Sequence, residues 1–160
     1  MAKEKIPPTP PIRILKENGV DFIIHHYKYQ EKGGTEVAAR ELGIDEHLII
    51  KTLVMEDDRK APLIILMHGD RSVSTKAFAR HVGAKSVNPC DARVAQKHTG
   101  YIVGGTSPFG TKKQLPVYIE ESILSLPGIL INAGRRGLLA EMTPADLAGI
   151  LKAKAVNVAR

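Results

Sequence analysis

Tryptophan is absent from this chain, and only three phenylalanines and four tyrosines stand among its 160 residues. So sparse an aromatic set argues against a stacking platform for single-stranded nucleic acid, which needs rings spaced along a groove. The single cysteine, Cys90, excludes an internal disulfide. It cannot complete a zinc site either, because the six histidines (His25, His26, His47, His68, His81, His98) show no metal-ligand spacing. No apolar run approaches the ~18 residues of a membrane span. The opening MAKEKIPPTPP carries charge and proline but not the apolar centre of a secretory signal. These absences point to a reducing cytoplasm and away from a membrane. Walker loops, nucleophile elbows and dinucleotide fingerprints are missing too, since the glycines from Gly100 to Gly105 have the wrong spacing. No metal or organic cofactor is expected.

Acidic residues are scarce in one stretch. Residues 71–113 hold Arg71, Lys76, Arg80, Lys85, Arg93, Lys97, Lys112 and Lys113 against Asp91 alone, within a chain of net charge +6. The rest is therefore close to neutral. A basic block of this kind suits an extended polyanion such as a nucleic acid, although a generally basic surface would read the same way.

What is present is ordinary for a soluble protein: 43% hydrophobic and 25% charged residues. The length fits one domain, expected over residues 9–160, with residues 1–8 expected to fray. Thr9-Pro10-Pro11 opens a helix that closes at Gly19, and Phe22 to Tyr29 reads as a strand. A helix from Thr35 to Leu42 ends at Gly43. Leu48 to Met55 and Leu63 to Met67, joined by Asp57-Asp58-Arg59-Lys60, predict a hairpin. Ser74 and Asp91 cap helices that stop at Gly83 and Gly100. Tyr101 to Val103, Leu115 to Ile119, Ile129 to Asn132 and Ala155 to Val158 read as strands, and Thr143-Pro144-Ala145-Asp146 starts a last helix. Strands and short helices alternate with hairpins among them, which predicts a mixed α+β single domain.

Three features carry chemistry. The segment GYIVGGTSPFGTKKQLP, residues 100–116, empties an apolar stretch into Gly104, Gly105, Thr106, Ser107, Pro108 and Gly110, followed by Lys112 and Lys113. Glycine lets bare backbone amides approach a ligand, where they bind phosphate or carboxylate oxygens or stabilise an oxyanion. A hairpin turn with a basic flank is the simpler reading of the same residues. Lys51 is the second feature. It lies inside an apolar strand on the face shared by Ile49 and Leu53, and lysine is seldom buried without a partner. It either snorkels to solvent or serves a pocket, holding a phosphate or ribose or polarising a carbonyl. The third is Asn132-Ala133-Gly134-Arg135-Arg136-Gly137, another strand running into flexible backbone, with arginines suited to phosphate. All three are strand ends that can converge on one pocket. Cys90, after Asn88-Pro89, is more simply incidental than nucleophilic, so no side-chain nucleophile is evident.

These residues, in this order, resemble the YbaK/prolyl-tRNA synthetase-associated editing domains, and most of all their free-standing members that act on Cys-tRNA(Pro). The matching pieces run nearly end to end: Thr9-Pro10, His26-Tyr27, Lys51-Thr52-Leu53, Gly83-Ala84-Lys85, Val94-Ala95-Gln96, Thr99-Gly100-Tyr101, Val103-Gly104-Gly105, Ser107-Pro108, Gly110, Lys112-Lys113, Leu115-Pro116 and Gly134-Arg135-Arg136-Gly137-Leu138. The resemblance implies a compact, mixed, partly barrel-like sheet flanked by short helices, and hydrolysis of mischarged aminoacyl-tRNA in the cytoplasm. It places Lys51 near the terminal adenosine and lines the acyl site with the backbone of Gly104 to Pro108, with Lys51, Gly104 and Gly105 acting in catalysis. Tyr27, Thr52, Thr106, Ser107, Pro108, Asn132, Gly134, Arg136 and Gly137 would contact substrate. Lys76, Arg80, Lys97, Lys112 and Lys113 would contact tRNA, and prolyl-tRNA synthetase is a candidate partner. In the cysteine-specific members the substrate thiol is thought to attack its own ester, which would explain the missing nucleophile. Two positions depart from the pattern: Leu139, with Glu141 two residues on, replaces an acidic or polar residue, and Asn132 replaces a serine. A relative that clears alanine, and a non-catalytic module that binds tRNA or a synthetase, are the rival readings.

Overall fold

A computed structural model describes residues 6–160. The expected fraying therefore falls partly outside the described residues, at 1–5; just inside them, Thr9 N–H already donates to Pro7 O at 2.9 Å. Five helices and eight strands follow: α1 (Pro10–Glu17), β1 (Ile23–His26), α2 (Gly34–Leu42), β2 (Ile49–Asp57), β3 (Pro62–His68), α3 (Thr75–Val82), β4 (Val87–Pro89), α4 (Ala92–Thr99), β5 (Val117–Glu120), β6 (Ile129–Asn132), β7 (Leu138–Met142), α5 (Pro144–Leu151) and β8 (Lys154–Val156). The helices begin where side chains can satisfy their first amides. Thr9, Ser74, Asp91 and Thr143 each accept from an amide two or three residues into their helix. Gly43, Gly83 and Gly100 end three of them in the left-handed conformation.

The strands form one mixed sheet in the order β1-β7-β6-β2-β3-β5-β8, with β4 added to β2. Its path is open at β1 and β8, so any barrel character is partial. The β2–β3 hairpin pairs antiparallel from Ile50↔His68 to Glu56↔Pro62, while β2 and β6 run parallel through Ile49↔Leu130 and Ile50↔Ile131. Alternation along β2 divides its side chains between two layers. Ile50 and Val54 enter the main core with Ile12 and Leu15 of α1 and Leu147 of α5. On the other face Ile49 packs with Ala38 of α2, and Met55 with Phe78 of α3. Lys51 and Leu53 lie between those two contacts, beside an opening bordered by α2 and the glycine loop.

Three local expectations change. Tyr101 to Val103 is not a strand: Tyr101 is buried with its hydroxyl donating to Phe109 O at 2.5 Å, whereas Ile102 and Val103 are exposed. The apolar triplet folds back on its own loop instead of joining the sheet. Leu138 to Met142, not anticipated, is the strand that pairs β6 with β1. Short β4 likewise extends the edge of β2.

Candidate active site

The opening beside α2 is a cavity of about 520 Å³. Its floor is apolar, made by Ala38, Ile49, Leu53 and Leu139, and Lys51, Thr52, Gly104, Thr106 and Asn132 bring polar groups to it. Pairing with β6 stops at Ile50 and pairing with β4 starts at Met55. The β2 edge that faces the cavity, residues 51–53, thus has no strand partner on that side, and Val54 O already accepts from Cys90 N–H at 3.0 Å. Lys51, Gly104 and Asn132, one from each of the three strand-end features, meet here.

Lys51 Nζ donates to the carbonyl oxygen of Arg71. Burial pushes the pKa of this ammonium down, and the charges of Glu46 and Asp70 act against that. Thr52 Oγ1 is buried without a hydrogen-bond partner. Tyr27 holds the wall through its N–H, which donates to Gly137 O at 3.0 Å. Burial, with Tyr29 alongside, raises the pKa of its phenol, so it is a neutral hydroxyl at physiological pH.

The two glycine segments are fastened to each other. Asn132 Nδ2 donates to Gly104 O and to Arg135 O, both at 3.1 Å, and its Oδ1 accepts from Gly134 N–H at 2.7 Å. Arg136 Nε donates to Val103 O at 2.8 Å, and its guanidinium lies 4.8 Å from the centre of the Tyr29 ring. Gly104 has φ +84°, and a Cβ there would stand 2.6 Å from Tyr29 Cε2. Gly105 faces Arg136 instead of the cavity, with its N–H donating to Ile102 O at 2.9 Å. Ser107 and Pro108 are buried inside the loop, where Ser107 Oγ accepts from Phe109 N–H. Gly134 abuts Pro11, and Gly137 abuts Tyr27 O. Gly105, Ser107, Pro108, Gly134, Arg136 and Gly137 are therefore outside the cavity lining and support the wall from behind.

The basic residues Lys76, Arg80, Lys97, Lys112 and Lys113 are all exposed, on α3, on α4 and just after the glycine loop. None of them lines the cavity. Glu141 is paired with His25 at 2.8 Å and is also outside the lining. Leu139, its neighbour on the same face of β7, gives the floor a methyl surface where a carboxylate was considered.

Among the described residues, two groups of side chains have metal-ligand character: His47, His68 and Asp70, and Glu56, Cys90 and His98. Both satisfy themselves internally. His98 Nε2 meets Glu56 at 3.2 Å while Nδ1 meets Lys113 Nζ at 3.1 Å. Burial, with Glu56 and Asp91 nearby, pushes the Cys90 thiol up to about 11, so it is protonated and unreactive at neutral pH.

Sequence reasoning missed Tyr29, Thr35, Glu31 and Lys32 in the lining. Tyr29 left a signal, since it sits two residues beyond Tyr27 in extended chain and so shares its face.

A family model described as the aminoacyl-tRNA editing domain matches residues 31–150. In Enterococcus faecalis, the "Putative Cys-tRNA(Pro)/Cys-tRNA(Cys) deacylase EbsC" is 32% identical over 146 residues, covering 90% of this chain and 89% of that protein. The solved structure of "hypothetical protein APE2540" superposes with a TM-score of 0.85 at 23% identity, over 93% of this chain and 98% of that one. That of "a putative trans-editing enzyme for prolyl tRNA synthetase" gives 0.82 at 20% identity, over 98% and 99%. With Lys51, the glycine loop and Asn132 meeting at one cavity and this match over most of its length, the chain belongs to the aminoacyl-tRNA editing domain family.

Proposed function

We propose that the protein is a free-standing deacylase that removes cysteine wrongly esterified to tRNA(Pro), with Cys-tRNA(Cys) as a second substrate, and that the substrate's own thiol is the nucleophile. The composition of the cavity supports this most directly. It offers an ammonium at Lys51, glycine backbone at Gly104 and an apolar floor, but no cysteine, histidine or serine among its lining residues. A site so built can position and polarise an ester but lacks the Ser–His or Cys–His pair that usually attacks one, and its lining hydroxyl Thr35 is held by Glu46 and Gly69 O.

In this reading the cysteinyl Sγ attacks the ester carbonyl carbon, forming the C–S bond. The C–O bond to the ribose then breaks, and the thiol proton ends on the departing ribose hydroxyl. The product is a thiolactone that water opens. The amides of Gly104 and Thr106 meet the oxyanion, because that of Gly105 is already donated to Ile102 O. The Lys51 ammonium lies against the ribose and its leaving oxygen, and Tyr27, Thr52 and Asn132 fix the acyl group. The exposed lysines and arginines of α3, α4 and the 112–113 segment carry the tRNA backbone. Cooperation with prolyl-tRNA synthetase fits a substrate which that enzyme mischarges.

The deciding experiment compares deacylation of Cys-tRNA(Pro), Ala-tRNA(Pro) and Ser-tRNA(Pro). Cleavage of the cysteinyl ester alone is expected. Cleavage of the alanyl or seryl ester would keep the deacylase and discard the thiol mechanism. Turnover of none of them would leave a binding module for tRNA or a synthetase.

A further inference from the structure

Lys51 occupies a position that burial makes unfavourable for a cation. An acceptor and negative charge behind it offset that penalty. The acceptor is Arg71 O, and the charges are those of Glu46 and Asp70. Arg71 and Asp70 belong to the loop after β3, so the placement of that loop decides where the ammonium sits.

The loop is clamped at several points. Gly69 N–H donates to Ile49 O at 2.7 Å, and Gly69 O faces Thr35 Oγ1 at 3.2 Å. A Cβ on Gly69 would lie 2.7 Å from Glu46 O, Ile49 O and Thr35 Oγ1, which shows how closely the backbone is held. Asp70 Oδ1 lies 2.8 Å from His47 Nδ1. The His47 ring stacks on that of His68, with centroids 3.7 Å apart and planes inclined by 6°. His68 is fixed in turn: Nδ1 donates to His47 O at 2.9 Å, and Nε2 accepts from Ser122 Oγ at 2.6 Å. Burial lowers the pKa of His68, so the ring beneath His47 is neutral. Partial burial opposes the Asp70 charge, yet the hydrogen bond and charge of His47 hold its pKa below the usual carboxylate value.

We infer that Asp70, braced by His47 on the His68 ring, is a positioning residue for Lys51: it pins residues 69–71 so that Arg71 O receives the ammonium, and sets its own carboxylate in the same loop. The consequence for turnover rests on the deacylase reading; the state of Lys51 does not. The other ionisable groups facing this region are Glu46, whose Oε2 accepts from Thr35 Oγ1 at 2.6 Å, and Tyr27, Tyr29, Glu31 and Lys32 along the cavity. The Arg71 side chain lines a separate polar cleft with His47, His68 and Glu120.

The test is the pH dependence of Lys51 acetylation by an amine-reactive ester, followed by mass spectrometry in the wild type, Asp70→Asn, Asp70→Glu and His47→Phe. Asp70→Asn removes the charge while keeping the size, and its profile is expected to move to lower pH, with faster acetylation at neutral pH. His47→Phe keeps the stack on His68 but loses the bond to Asp70, so a smaller shift in the same direction is expected. Asp70→Glu should restore most of the wild-type profile. In deacylation, Asp70→Asn should lower kcat on the order of tenfold with KM little changed, less than the ~100-fold that an ångström-scale misplacement can cost. An Asp70→Asn profile superimposable on the wild type overturns the proposal, and if that variant does not fold, an unshifted His47→Phe profile does the same. A wild type that deacylates nothing overturns the deacylase reading, and the acetylation profiles still decide the role of Asp70.

Discussion

Asn132 donates its side-chain amide to Gly104 O over 3.1 Å, and through that bond the end of β6 holds the glycine loop at the cavity wall. The same side chain accepts from Gly134 N–H and donates to Arg135 O, so one residue fixes two loops. Asn132→Ala removes all three bonds, each worth ~1 kcal/mol. The expected result is a stability loss of about 2–3 kcal/mol in chemical denaturation. Deacylation should fall with it, since the Gly104 backbone is no longer held. Asn132→Ser, which keeps a short polar side chain, should recover part of both.

Gly104 is constrained by both its dihedral and its neighbour. At φ +84° a side chain costs roughly 1–2 kcal/mol, and a Cβ would also strike the Tyr29 ring. Gly104→Ala should therefore lower the melting temperature and abolish turnover by displacing the loop. Combining it with Tyr29→Ala relieves the clash but not the dihedral, so the double variant should regain stability without regaining full activity. Complete recovery of both would show that the clash alone matters.

Thr52 Oγ1 is buried and has no partner, and such a group costs about 1–3 kcal/mol. Replacing it with the isosteric valine should leave stability equal or raise it by about 1 kcal/mol. If the hydroxyl awaits the substrate, KM for the aminoacyl-tRNA should rise roughly fivefold, the equivalent of one hydrogen bond. Unchanged KM together with raised stability would make Thr52 a packing residue only.

How far the sequence foretold this arrangement differs by region. Helix boundaries were legible because their causes are local: Thr9, Ser74, Asp91 and Thr143 cap, and Gly43, Gly83 and Gly100 stop. The strand Leu138–Met142 was not, because Leu-Leu-Ala-Glu-Met has neither β-branched residues nor clean alternation, and only pairing with β6 and β1 makes it extended. Tyr101-Ile102-Val103 misled in the opposite direction, being strand-like in composition but with no strand beside it. Lys51 stood out as a charge in an apolar strand. The residues behind it did not, since Asp70 and His47 lie 23 positions apart and meet only after β3 has turned back along β2.

Lys51 also makes a prediction about stability against pH. Burial depresses its folded-state pKa below that of the unfolded chain. Between the two values the unfolded chain binds more protons, so stability rises with pH across that window. Below the folded-state value the native protein carries the full penalty of a partly buried ammonium. Lys51→Met removes the charge while keeping an unbranched chain, so it should be more stable than the wild type at neutral pH. The advantage should shrink as pH rises toward the unfolded-state value. In the same variant deacylation should be lost. A methionine variant no more stable at neutral pH would show that the Arg71 O bond outweighs the burial.

The basic face gives a prediction separable from the cavity. Lys76, Arg80 and Lys97 are exposed on α3 and α4, and none touches the cavity. Phosphate contacts add affinity by releasing counterions, whatever the base sequence, and each one lost lowers the slope of log K against log salt by ~0.7–0.9. Arg80→Glu and Lys97→Glu should therefore weaken binding of charged and uncharged tRNA alike, flatten the salt dependence, and raise KM with kcat little changed. Lys113 should behave differently. Its Nζ already lies 3.1 Å from His98 Nδ1, which is linked to Glu56, so it must leave that contact before it can meet a phosphate. Lys113→Ala is expected to change the salt slope less than Lys97→Ala does. Equal slopes for the two would mean that the His98 contact yields freely to tRNA.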